Sequence, residues 1–184
     1  IGLSTIDASP YIRGLPRTGK AKDIHPWLVE QGIPARNVVV PTAMANSQLP
    51  SLMKQADSAV FMSRCEGGTN LMAMETLACG LPTILSNNTG HRDLLDGDIP
   101  HAIGISKNMD VDESITRFYG YDHRSMWGES NPDTLVELWC QQLKNKQEWH
   151  YRGVKGAKQM EKYSWVASMD NLIQALVQRK LLSN

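Results

Sequence analysis

The sequence predicts an α/β protein, a parallel sheet carrying helices on both faces. Three observations predict it. Ser58–Met62 is a short apolar run of the kind that forms a strand buried on both sides, and Thr83–Ser86 is a second short strand. Between them Leu71–Cys79 is built of good helix formers, and Gly80 with Pro82 supplies the stop signal. Strand, helix, strand, glycine loop, helix, strand is the order from Asn37 onward. Covering a parallel sheet on both faces is the economical way to bury it.

Taken in order, Ile1–Ile6 is expected to be a first strand, followed by a loop rich in Pro, Gly and basic residues from Asp7 to Lys22. Ile24–Gly32 is amphipathic around Trp27 and Leu28, and Gly32 closes it. Asn37–Pro41, with three consecutive valines, is expected to be a strand leaving at Pro41. Leu49, Leu52, Met53 and Ala56 recur at helical spacing, and Asp57 returns the chain to the strand at Ser58.

Glu66-Gly67-Gly68 breaks that strand, and Thr69 and Asn70 can cap the helix that follows. Asn87–Gly90 is a turn leading into His91–Leu95, and His101–Ile105 is expected as a last strand. Ser106–Ser130 is polar and turn-rich and is expected to be irregular. Asn131 as N-cap with Pro132 behind it starts a helix whose apolar face is Leu135, Leu138, Trp139 and Leu143. Glu148–Tyr163 reads as a polar helix, and Val166–Leu182 as a final helix with Leu172, Ile173, Leu176 and Val177 as its stripe.

With 184 residues, one domain covering 1–184 is the expectation. Starting at Ile1 within a strand, the chain is expected to be a fragment. The 19 bases and 19 acids balance, which argues against a nucleic-acid binder. Cys65, Cys79 and Cys140 form no CxxC pair, so neither a disulfide framework nor a zinc site is suggested, and a cytoplasmic setting fits. No apolar run is long enough to span a bilayer. His25, His91, His101, His123 and His150 show no ligand spacing and read as surface or turn histidines.

Function concentrates on the stretch from Ser63 to Pro82. A glycine loop ahead of a helix lets backbone N–H groups approach an anion, and the unpaired N–H groups of the first turn add partial positive charge. A phosphate could sit at Gly67, Gly68, Thr69, Asn70 and Leu71. Glu66 lies at the mouth of the loop, and Glu75 is the only ionisable side chain from Leu71 to Cys79. Such a carboxylate is either on the helix's wet face or held against a ligand's hydroxyls. Both strand-end turns belong at the carboxyl edge of the sheet, where ligands of such folds bind. Asn87, Asn88 and Thr89 are pocket candidates by position, although turn chemistry also explains them.

Ser63-Arg64-Cys65-Glu66-Gly67, then Glu75-Thr76-Leu77-Ala78-Cys79-Gly80-Leu81-Pro82, then Ile84-Leu85-Ser86 and Gly90-His91-Arg92-Asp93-Leu94, resemble the donor-site signature of glycosyltransferase family 4. Trp127-Gly128, the Pro132-Asp133 helix start and Tyr163-Ser164-Trp165 extend the likeness over roughly Val38 to Leu182. One departure stands out: eight residues separate Glu66 from Glu75, where the family usually has seven. The helix keeps the family's register, so the extra residue falls in the loop Gly68-Thr69-Asn70.

The resemblance implies the C-terminal, donor-binding domain of a retaining GT-B enzyme, a Rossmann-like domain whose N-terminal acceptor half lies outside this chain. It implies a nucleoside-diphosphate sugar as substrate, no metal and no other cofactor, an acceptor of unknown kind, and inactivity of this half alone. Contact with a membrane would come through the missing half. The Glu matching Glu75 would hold the ribose. The Glu matching Glu66 would lie by the donor sugar as the catalytic-site carboxylate, and the N–H groups of Gly67 to Leu71 would face sugar and phosphate. A basic pair from an early loop usually contacts the diphosphate, and Arg13, Arg17 and Lys20 are candidates by position only. The alternative is a non-catalytic nucleotide-sugar-binding or regulatory module of the same fold. A third reading is a related GT-B sugar-nucleotide epimerase.

Overall fold

A computed structural model describes residues 2–4, 21–41, 44–95, 97, 100–111 and 126–181. Four strands form one parallel sheet in the order β1 (Gly2–Ser4), β2 (Ser58–Phe61), β3 (Thr83–Ser86), β4 (His101–Ile103). The register places Ala59 beside Leu3 and Thr83, and Ile84 beside His101. Every residue of β2 and β3 is buried, as expected of strands covered on both faces.

The alternation of side chains along these strands makes two cores. On one face Ala59, Phe61 and Leu85 pack with Ala73 and Leu77 of helix α3 (Leu71–Ala78) and with Leu81, Leu94 and Met160. On the other, Val60, Ile84 and Ile103 pack against Trp149, with Leu135 and Leu138 beside it. These last three come from α4 (Pro132–Lys144) and α5 (Lys146–Met160). Helices α3 and α5 meet at two glycines. Gly80, at φ +77°, turns the chain out of α3, and a Cβ on Gly153 would overlap its carbonyl oxygen. The α/β fold with a doubly covered parallel sheet is therefore as the sequence predicts.

Other elements are close to their expected places. The first helix, Ala21–Glu30, ends at Gly32 with φ +91°, and Asn46–Gln48 and Leu49–Met53 form a short helical pair ahead of β2. Asn131 Oδ1 caps α4 by accepting from Asp133 N at 2.9 Å. The last helix runs Trp165–Gln178, capped by Ser164 Oγ accepting from Ala167 N at 3.2 Å.

Three expectations are corrected. Val38–Val40 is not a strand: it pairs with no strand among the described residues, and Val39 is 83% exposed. β-branched residues favour a strand only where a sheet edge and a packing surface receive them. Ser106–Ser130 is not irregular throughout, because β5 (Ile105–Asp110) pairs antiparallel with β6 (Met126–Ser130). This ribbon buries little apolar surface, which is why no alternating pattern announces it. Finally, the Leu172, Ile173, Leu176 and Val177 stripe exists, but no residue of its helix is fully buried. Arg13, Arg17, Lys20 and His123 lie outside the described residues.

Candidate functional site

The site is built where β2 and β3 end. Both strands run the same way, so the loop Ser63–Asn70 and the turn Asn87–Gly90 emerge side by side at the carboxyl edge. The turn holds the loop with its own polar groups. Asn88 is buried, and its Nδ2 donates to the carbonyls of both Ser63 and Arg64 at 2.9 Å. Thr89 Oγ1 accepts from Glu66 N at 2.7 Å, and Gly90 N donates to Glu66 O at 3.3 Å. Thr89 adopts φ 37°, a left-handed conformation that a β-branched residue reaches only at a cost of about 1–3 kcal/mol. Its bonds to Glu66 and to Asn88 Oδ1, at 3.2 Å, hold it there. A Cβ on Gly90 would overlap the carbonyl of Gly68, so this glycine is what lets the two turns touch.

Beneath the loop lies a directed hydrogen-bond chain. Ser86 Oγ donates to Ser63 O at 2.7 Å, so toward His91 it can only accept. His91 Nδ1 is 3.0 Å from that oxygen and 3.1 Å from Ser86 O. Two acceptors facing one nitrogen put the ring proton on Nδ1. His91 Nε2 then accepts from Asn70 Nδ2 at 3.1 Å. The orientation of the Asn70 amide is fixed independently, because its Oδ1 accepts from Ala73 N at 3.0 Å as the cap of α3. The second Asn70 N–H reaches Glu66 Oε2 at 3.2 Å. Every proton in the chain is thereby assigned.

His91 has no exposed surface, and burial holds its pKa below the ordinary value, opposed by the Ser86 carbonyl and the Glu66 carboxylate. His91 therefore sits in a turn, as expected, but as a buried residue and not a surface one. The surface-or-turn expectation is wrong for His101, a half-buried strand residue that stacks on Trp149 at 4.0 Å between ring centroids and whose pKa burial pushes down to about 4. Regular spacing could not reveal His91. The signal available in the sequence was Ser86 ending a buried strand, since a buried hydroxyl needs a partner.

The predicted site residues divide into two groups. Glu66, Gly67, Gly68, Thr69 and Asn70 form one loop. Glu66 keeps 27% of its side chain exposed, and a Cβ on Gly67 or Gly68 would meet nothing within 4 Å. The loop is thus open to a ligand along its glycines. Leu71 and Glu75, one helical turn apart, share the exposed strip of α3 opposite its buried Ala73, Thr76 and Leu77. The helix itself offers no acceptor to the N–H groups of Leu71 and Met72. Glu75 lies on the wet face, on the strip that begins at the loop.

Two further residues frame the loop. Arg64 Nε pairs with Glu129 Oε2 at 2.6 Å, and its guanidinium lies 5.6 Å from the centre of the Trp127 ring. Gly128 N donates to Arg64 O at 3.0 Å, tying the β5–β6 ribbon to the same edge. Asn87 is exposed and joins β4 through its N–H to Ile103 O at 2.8 Å.

At the opposite edge a cavity of about 680 Å³ is lined by Lys54, Leu81, Trp139, Gln142 and Lys146, far from the glycine loop. Among the described residues, no three His, Cys, Asp or Glu side chains gather as a metal site, and no helix is long and apolar enough to cross a membrane. Among known proteins, a family model described as glycosyl transferases group 1 matches residues 15–115. That span exceeds half the chain and contains the whole loop, α3 and the His91 turn. No curated protein matches the chain.

Proposed function

The chain belongs to the group 1 glycosyl transferases, and from that premise we propose that it is the donor-binding domain of a retaining, family 4 enzyme. Its substrate is a nucleoside-diphosphate sugar, and its acceptor half lies elsewhere. The observation that carries this reading is the open glycine loop at the amino end of α3, with one carboxylate at its mouth and a second on the strip above it.

In this reading the diphosphate lies over Gly67–Leu71, where N–H groups and the helix's amino end meet negative charge. The ribose lies along the Leu71–Glu75 strip, and the ionised Glu75 accepts from its two hydroxyls. Glu66, oriented by Asn70, faces the sugar. As the bond from the anomeric carbon to the phosphate oxygen breaks, charge builds on the departing diphosphate. Preorganised N–H groups stabilise that charge without a metal or other cofactor. Basic groups from Arg13, Arg17 and Lys20 complete the neutralisation. A cytoplasmic site, with any membrane contact made by the acceptor half, follows from the same reading.

The test is a melting panel with UDP-, GDP- and ADP-sugars. A ligand at a hundred times its Kd stabilises the folded state by about 2.7 kcal/mol. A shift with one base and none with the others supports the reading. No shift with any of them at millimolar concentration refutes it.

A further inference from the structure

We propose that His91 is the positioning residue of this site: as a neutral imidazole protonated on Nδ1 it fixes Asn70, and through Asn70 the Glu66 carboxylate, and a proton on Nε2 releases both. The inference rests on the donor-site reading for its consequence and on the hydrogen-bond chain for its mechanism.

The chain leaves no alternative arrangement for the neutral ring. Ser86 presents only acceptors to Nδ1, and Asn70 presents only a donor to Nε2 because its oxygen is committed to Ala73 N. Adding a proton to Nε2 sets two donors against each other at 3.1 Å. Asn70 cannot turn its oxygen to the ring without uncapping α3. Among the described residues, the charged group recorded against the ring is Glu66, whose Oε2 lies 3.8 Å from Nε2. Arg92 and Asp93 on the ring's own turn are exposed. Protonation therefore pulls the carboxylate toward the ring and away from Asn70. Glu66 would then sit lower in the loop, withdrawn from a sugar above it. Burial, which disfavours the charged ring, keeps the positioned form dominant near neutral pH.

The experiment uses the whole chain and two variants. His91→Gln places an acceptor near Nε2 without a titrating group, and His91→Asn reaches only the Ser86 side. The first readout needs no ligand: imidazole nitrogen shifts, the Asn70 side-chain amide signal and amide exchange at Ala73, followed between about pH 5 and 8. The wild type is expected to carry its neutral proton on Nδ1 and to lose protection at the Ala73 amide on acidification, beyond the intrinsic change, together with a shift of the Asn70 side-chain amide. His91→Gln should keep protection at all pH values, and His91→Asn should lack it throughout. The second readout is calorimetry with UDP and UDP-glucose, or the GDP or ADP pair if that base is preferred. His91→Asn should weaken the sugar conjugate about tenfold and the nucleoside diphosphate by clearly less. In a Glu66→Gln background it should add nothing.

A ring proton on Nε2, pH-independent protection in the wild type, or His91→Gln behaving as His91→Asn would overturn the proposal. So would equal losses for both ligands. If no sugar nucleotide binds the wild type, the donor-site reading fails, and the ligand-free readout still decides the role of His91.

Discussion

Gly90 and Gly68 lie in backbone contact: the turn after β3 passes so close to the loop after β2 that a Cβ on Gly90 would occupy the space of the Gly68 carbonyl. Gly90→Ala must therefore displace the loop or the turn. The expected outcome is a folded protein, destabilised by about 1–3 kcal/mol, whose Glu66 N–H has lost its Thr89 partner. Denaturant unfolding together with amide exchange at Glu66 checks it. An unchanged stability and an unchanged Glu66 amide would show that the contact is not needed.

Gly68 itself poses the opposite case. Its own Cβ would point into open space, so Gly68→Val should leave the melting temperature within about 2 °C of wild type. A ligand resting on the loop does not tolerate the branched side chain. Nucleoside-diphosphate binding should be abolished, and full affinity in the folded variant would remove the phosphate from this loop.

The two glutamates separate by position. Glu75→Gln should weaken the nucleoside diphosphate and the full sugar donor alike, by about 1.5–3 kcal/mol for a lost charged hydrogen bond. Glu66→Gln should weaken only the sugar donor. Calorimetry with both ligands on both variants decides between this split and equal losses, which would mean that the additional loop residue has moved Glu66 off the sugar.

Stability should fall on mild acidification through His101. Its folded pKa, about 4, lies below the unfolded value near 6.5, so the unfolded chain binds the proton first. The contribution is complete above about pH 6.5 and is lost as the pH falls toward 4. With the ring partly exposed, about 1–2 kcal/mol is expected. His101→Phe, which keeps the stack on Trp149, should reduce the pH dependence between those limits and leave the share contributed by buried His91, as unfolding curves at several pH values would show.

The parts of the fold that were legible in the sequence have local causes. Apolar β2, the Asn70 cap and the Gly80 exit each follow from a residue and its immediate neighbours. What escaped depends on partners distant in sequence. Val38–Val40 has strand composition but meets no sheet edge among the described residues, whereas Ile105–Asp110 has little apolar pattern yet finds Met126–Ser130. The loop residues were legible as a group because they are contiguous. His91 was not, because its burial follows from the contact of Gly90 with Gly68 and from Ser86, none of which is visible as spacing.

The bonds that shape the Glu66 loop also set how the site comes into being. Those that reach the turn or α3 close between Ser63 and His91, and none of them spans more than 25 residues. A loop of that length costs little to close, and each further doubling would add only about 0.6 kcal/mol. One strand-helix-strand unit, Ser58 to Leu94, therefore carries most of the contacts that shape the glycine loop, and the β5–β6 ribbon adds the tie at Arg64. These contacts are local enough to form early during synthesis, but one face of the sheet beneath them stays uncovered until α4 and α5 supply Leu135, Leu138 and Trp149.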